Sequence, residues 1–253
     1  MTRLLRAMYP MAAAVFLMSN SIQADTTNNG QATVDKAIQA LGGEATLKST
    51  KAYSWKSKGK INIGGTESAF TSQATVAGLD RFRQTFEGEF NGEKVKGVTV
   101  IDGDKGWRKF GEMGMELDKD AMAIAKRSVY LDAVSGNPLL LKEKGFKIQG
   151  APDEKFEGKD VACVKVTGPD AKDFTILFDK ATGLPVKEVA KVIGFGGEEV
   201  TQETIFKDYK VFDGFKTATK VEIKHDGQKF LDGEASDFKR LDSVDAKTFE
   251  NPL

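Results

Sequence analysis

From about Ala52 onward the sequence keeps a two-residue apolar rhythm, and no other feature narrows the fold as much. Tyr53, Trp55, Ile61 and Ile63 share one parity, Phe70, Ala74 and Val76 another, and Phe82, Phe86 and Phe90 a third. Successive side chains of a strand leave on opposite faces, so each run predicts a strand with one apolar side. Gly64-Gly65, Gly78, Asn91-Gly92 and Asp102-Gly103 fall between the runs. Asn-Gly and Asp-Gly supply the positive φ angles of tight hairpins, which makes neighbouring strands antiparallel. The rhythm returns over 146–150, 160–167, 174–178, 186–193, 200–212, 215–224 and 229–238, with turns at 179–183, Asp213-Gly214 and Asp226-Gly227. About eleven strands are expected.

Two segments follow a helical period instead. Val34, Ala37, Ile38 and Leu41 recur at helical spacing, with Thr33 or Asp35 as cap and Gly42-Gly43 as stop. Between Leu117 and Lys144, Ala121, Ile124, Ala125, Val129, Leu131 and Val134 fit helical turns, and Leu139-Leu140-Leu141 follows Pro138. This predicts an insertion over 118–142 made of two short helices split near Ser135-Gly136-Asn137-Pro138. Neither β half could cover its own apolar face, so one sheet continuing across the insertion is the simpler architecture. A sheet this wide must curl or close, which leaves the helices to fill its concave side. The expected fold is therefore mainly β (α+β), a single curved antiparallel sheet in one domain over 34–253. No fixed-period repeat or Pro-rich linker divides the 253 residues.

The first 24 residues carry Arg3 and Arg6, then an apolar run over 11–18, then polar residues and Ala24. That is the outline of a signal peptide cleaved near Ala24. The run is far shorter than the about 20 residues that cross a bilayer, so no stable membrane anchor is expected. Residues 25–33 are polar and are expected to form a flexible mature N-terminus. Losing Arg3 and Arg6 takes the 37 basic residues to 35 against 37 acidic, a net charge of −2, which disfavours a nucleic-acid partner. A periplasmic or secreted location follows. Cys163 is the single cysteine, so no internal disulfide can form.

Candidate chemistry is sparse. A hydrolytic triad needs a base, and the lone histidine, His225, adjoins the Asp226-Gly227 turn, where a surface role is the simpler reading. One His and one Cys cannot furnish a zinc site. Asp102-Gly103-Asp104 resembles the start of a calcium loop, but the twelfth position is Met113, not a bidentate acid. Asp118-Lys119-Asp120 fits the acidic first turn of a helix. Gly194-Phe195-Gly196-Gly197 lacks the Lys-Ser/Thr of a phosphate-binding loop. Cys163, inside an alternating run, fits a small buried side chain. No catalytic residue, metal or cofactor is assigned.

Aromatic and methionine side chains gather beside the insertion: Trp107, Phe110, Met113, Met115 and Met122. They are either ordinary core or the wall of an adaptable pocket for an apolar ligand. Strand parity and nearness to the insertion give the candidate lining as Trp55, Phe70, Phe82, Phe86, Phe90, Trp107, Met113, Met115, Met122 and Leu140.

The order of elements, together with three local stretches, resembles the periplasmic lipoprotein-carrier (LolA/LolB-like) superfamily. The stretches are Ile101-Asp102-Gly103-Asp104-Lys105-Gly106-Trp107, then Leu177-Phe178-Asp179-Lys180-Ala181-Thr182-Gly183-Leu184-Pro185, then Phe206-Lys207-Asp208-Tyr209 with Phe212-Asp213-Gly214-Phe215-Lys216. The resemblance implies an unclosed β-barrel covered by helices, with acyl chains in its concavity. It also implies an arginine that ties the helical lid shut, and here the sequence departs from the carriers: no arginine can be placed in that role, Arg127 and Arg108 being merely the nearest. A non-catalytic envelope protein binding a lipid, an acyl chain or a lipoprotein is the leading expectation. A protein-interaction or sensory module with a fully packed core, docking another envelope protein, is the alternative.

Overall fold

A computed structural model describes residues 26–90, 92–194 and 196–253. The expected signal peptide and its cut near Ala24 lie outside the described residues. The chain opens with α1 (Thr26–Ala40) and the short α2 (Gly43–Ser49). Six strands follow by hairpins: β1 (Ala52–Ile63), β2 (Thr66–Ala77), β3 (Arg81–Phe90), β4 (Glu93–Asp102), β5 (Lys105–Phe110) and β6 (Met113–Glu116). Helix α3 (Lys119–Gly136) and a 3-10 turn (Pro138–Lys142) carry the chain across. It returns through β7 (Lys147–Phe156), β8 (Lys159–Thr167), β9 (Asp173–Asp179), β10 (Pro185–Ile193), β11 (Glu199–Phe212), β12 (Phe215–His225) and β13 (Gln228–Leu241).

All thirteen strands form one antiparallel sheet, ordered β6-β5-β4-β3-β2-β1-β13-β12-β11-β10-β9-β8-β7. The chain thus starts at the centre, walks to one edge, crosses on α3 to the other edge and walks back. Its single non-sequential pairing, β1 with β13, sits at the centre, with Gly59 opposite Gly233 and Ile61 opposite Leu231. The edges β6 and β7 do not pair, so the sheet stays unclosed.

Thirteen strands stand where the alternation gave about eleven. The two extra are β5 and β6, whose rhythm is hidden by glycine. A Cβ on Gly106 would lie 2.4 Å from Met122 Sδ, and one on Gly114 would lie 2.4 Å from a Leu253 methyl. In both places a neighbour occupies the space that an apolar strand residue would fill. Helix α1 starts at Thr26, ahead of Thr33 or Asp35 where the apolar spacing placed its beginning. The insertion breaks near Asn137 as expected, but as one helix of 18 residues and a 3-10 turn rather than two short helices: the Asp118 side chain accepts from Ala121 N–H at 2.9 Å to cap α3, and Asn137 accepts from Leu139 N–H to start the turn. Asp213-Gly214 and Asp226-Gly227 take the positive φ angles of tight hairpins.

Packing on the concave side is split in two. The N-terminal half of α3 places Met122, Ala125 and Val129 on Ala74, Val76, Phe82 and Ile101 of β2, β3 and β4. Its C-terminal half joins α1 and the 3-10 turn, where Leu131, Val134, Ile38, Leu41 and Leu141 cover Val164, Ile176 and Phe178 of β8 and β9. The convex face carries smaller clusters, one around Phe249 with Val100 and Trp107, another around Val161, Cys163 and Leu177. Helix α3 therefore rests on both flanks of the curved sheet and spans its middle.

Candidate ligand cavity

Where α3 bridges the flanks, the central strands are left uncovered and a cavity of about 240 Å³ remains. Its floor is built by alternate residues of strands that meet only through the β1–β13 pairing. Trp55 and Ser57 come from β1, Phe70 and Ser72 from β2, Phe206 and Tyr209 from β11, Val221 and Ile223 from β12, and Leu231, Gly233 and Phe238 from β13. The roof is Asp132, Ser135 and Gly136 of α3, with Leu41 and Phe215 closing one side. Tyr53 stacks on Trp55 and Phe238 with ring centroids 5.5 and 5.6 Å apart, and Phe215 stacks on Phe238 at 5.3 Å, so the aromatic wall is a continuous, stiff surface.

The apolar face extends beyond the cavity. Cross-strand pairing sets Ser57, Ser72, Phe86, Gly97, Phe110 and Met113 in one row from β1 to the β6 edge. Phe70, Phe86 and Phe90 stack in sequence at 5.7 and 6.0 Å. At the outer end Met113 is 71% and Met115 58% exposed.

The candidate lining residues distribute as follows. Trp55 and Phe70 lie in the cavity wall. Phe86 and Phe90 continue the stack from Phe70, and Met113 and Met115 stand exposed on the edge strand. Phe82 and Met122 pack together under the N-terminal half of α3, and Leu140 packs against the core under its other half. Trp107 is on the convex face near Phe249. The contributions of β11, β12 and β13 were not foreseen, because a wall shared by strands so distant in sequence depends on the β1–β13 pairing, which carries no local signal.

Polar groups at the roof have unusual titration. Asp132 lines the cavity while its side chain stays exposed, and crowding by the surrounding protein pushes its carboxyl up to about 6. Beside it Ser135 Oγ donates at 2.6 Å to Glu188, which is 3% exposed. Burial pushes Glu188 up to about 8; the Ser135 bond opposes this and Asp132 reinforces it. Burial, then Asp132, also raises the Tyr53 phenol. One helical turn before Asp132, Arg127 is 5% exposed and anchors α3 to the β8–β9 side of the sheet. Its guanidinium donates to the Lys191 carbonyl at 2.8 Å, the Asp173 carbonyl at 3.1 Å and Asp170 at 2.9 Å, and it also reaches Tyr130. Burial raises the Asp170 carboxyl, but bonds from Tyr130, the Lys172 N–H and Arg127 prevail and hold it below the usual range.

The remaining chemical candidates have ordinary settings. His225 stacks on Phe230 at 4.0 Å and bonds to Gln202 at 3.1 Å. Cys163 is buried, donates to Glu154 at 3.3 Å, and has its thiol pushed up to about 12 by burial and by Glu154. Among the described residues no group of three or more His, Cys, Asp or Glu is placed to hold a metal ion, and no helix is long and apolar enough to cross a membrane.

Neither a family model nor a curated protein matches the sequence. Solved structures match the fold. A LolA superfamily protein from Nitrosomonas europaea is 13% identical, with TM-score 0.59 over 88% of this chain and 97% of that one. A DUF1329 family protein from Desulfovibrio piger is 13% identical, with TM-score 0.55 over 87% and 97%. A domain described as an outer membrane lipoprotein-sorting protein, from Vibrio parahaemolyticus, is 12% identical, with TM-score 0.53 over 88% and 97%. The chain has a LolA-like fold, an unclosed antiparallel sheet curved around helices.

Proposed function

We propose that this protein is a non-catalytic, exported binder that holds one apolar chain, such as that of a lipid or an acylated protein, between the central strands and the C-terminal half of α3. The carrying observation is the cavity over β1, β11, β12 and β13, continuous along one cross-strand row with exposed Phe110 and Met113. An alkyl chain entering it leaves water at roughly 25 cal/mol per Å² of apolar surface, reduced by the cost of association. The row of Phe86, Phe110 and Met113 offers the chain an apolar path from the sheet edge inward. The sorting domain among the structural neighbours agrees with this reading in fold alone. Arginine 127, fixed to the sheet, is suited to the lid-tying part that such carriers need.

The test is native mass spectrometry of the protein isolated from its own cell envelope, followed by organic extraction of any added mass. A bound alkyl-chain molecule, lost on extraction and regained on exposure to a fluorescent long-chain alkyl probe, is the expected outcome. The absence of both bound mass and uptake would reject it. A second reading, docking of a protein partner, is favoured by one observation: β6 is an edge strand, paired on one side only, that exposes Met113 and Met115. It expects partner binding to vanish in a Met113→Glu/Met115→Glu variant and the wild type to take up no alkyl chain.

A further inference from the structure

The cavity wall is unequal in charge. Apolar contacts come from Trp55, Phe70, Phe206, Phe215, Val221 and Leu231, and hydroxyls or amides from residues such as Ser72, Thr204 and Gln84, but the lining contains no Lys, Arg or His. Asp132 is its single acidic side chain. Among the described residues nothing hydrogen-bonds to the Asp132 carboxylate and no cation pairs with it. The nearest guanidinium on the same helix, Arg127, is committed to Asp170 and to the carbonyls of Lys191 and Asp173. Glu188, behind Ser135, keeps its proton near neutral pH and so adds no second full charge.

An apolar chain entering this chamber displaces the water that solvates the lone carboxylate, a cost that stands unless the ligand replaces those bonds. A ligand able to restore the lost solvation must bring a donor, and a cationic donor forms the stronger, charge-assisted bond. A ligand bringing its own carboxylate or phosphate would set two anions in one apolar chamber, where repulsion is poorly screened. The volume suits one chain rather than several.

Resting on the reading of the cavity as an apolar-chain site, we infer that its ligand is a single-chain amphiphile bearing a protonated primary amine, which pairs with Asp132 beneath α3. Free fatty acids are then poor ligands despite their suitable tails.

The experiment compares dodecylamine, dodecanol and dodecanoate, each below its micelle concentration at neutral pH, by displacement of a neutral fluorescent alkyl probe from the full mature chain. The amine is expected to bind about tenfold tighter than the alcohol, and dodecanoate more weakly than either. Asp132→Asn should bring the amine to the level of the alcohol and leave the alcohol unchanged. Asp132→Lys should turn the preference toward dodecanoate, a gain that misfolding cannot mimic. If the alcohol binds and the amine binds no tighter, the amine assignment is overturned while the apolar-chain reading stands. If none of the three binds, both fall.

Discussion

Gly59 and Gly233 face each other across the central β1–β13 pairing, yet a side chain fits at only one of them. A Cβ on Gly59 would lie 1.9 Å from the Asp232 carbonyl oxygen, whereas one on Gly233 would meet Leu231 at 3.4 Å, Phe70 at 3.7 Å and the Lys58 carbonyl at 4.0 Å, all ordinary contacts, inside the cavity. Gly233→Val is therefore expected to fold normally and to lower alkyl uptake by about tenfold or more, because the new methyls occupy ligand space. Gly59→Ala is expected to cost about 1–3 kcal/mol of stability by forcing the pairing apart. Urea unfolding and probe uptake on the two variants check both statements; equal uptake by Gly233→Val and wild type would remove the floor from this position.

Arg127 and Asp170 fasten α3 to the sheet. Arg127→Met removes every bond from this buried guanidinium to the sheet and should lose about 3 kcal/mol in denaturant unfolding, whereas Asp170→Asn leaves Arg127 its two carbonyl partners and should lose less. The double variant should lose less than the sum of the two, since both act on one bond network. Full additivity would show that they do not cooperate in holding the helix.

Glu188 gives the fold a pH dependence with a definite sign. Its carboxyl has an ordinary value of 4.5 and is pushed up to about 8 in the folded protein, so folding favours the protonated form. The favourable contribution is fully present below the ordinary value and is lost as pH rises through about 8, because the unfolded chain releases this proton first. Glu188→Gln, which keeps the bond from Ser135 but cannot ionise, should match wild type near about pH 4, exceed it increasingly up to about pH 8 and keep that margin above it. Denaturant melts across that range check this, and a constant difference between the two proteins would contradict it.

Much of the fold was written locally in the sequence. Alternation and Asp-Gly turns marked eleven strands, and the spacing of Met122-neighbour Ala125 with Val129 and Leu131 marked the helix that crosses the sheet. The strands β5 and β6 escaped because Gly106 and Gly114 give up their own side-chain space to Met122 and Leu253. The cavity was legible on one flank only. Trp55 and Phe70 sit on strands whose parity could be followed from their neighbours, whereas Leu231, Val221 and Phe206 reach the same wall through the β1–β13 pairing. Asp132 was hidden for another reason: on a helix of mixed polarity, a carboxylate facing a concavity looks like one facing solvent.

The two tryptophans permit a direct measurement, since Trp55 lines the cavity and Trp107 packs on the opposite face beside Val100 and the Phe249 cluster. A bromine-terminated alkanol quenches indole only at close range. Titrated into Trp107→Phe, which retains Trp55, it should quench most of the fluorescence and saturate at one molecule per chain. Titrated into Trp55→Phe, which retains Trp107, it should quench little. Equal quenching of the two, or none in either, would contradict an apolar chain held beneath the C-terminal half of α3.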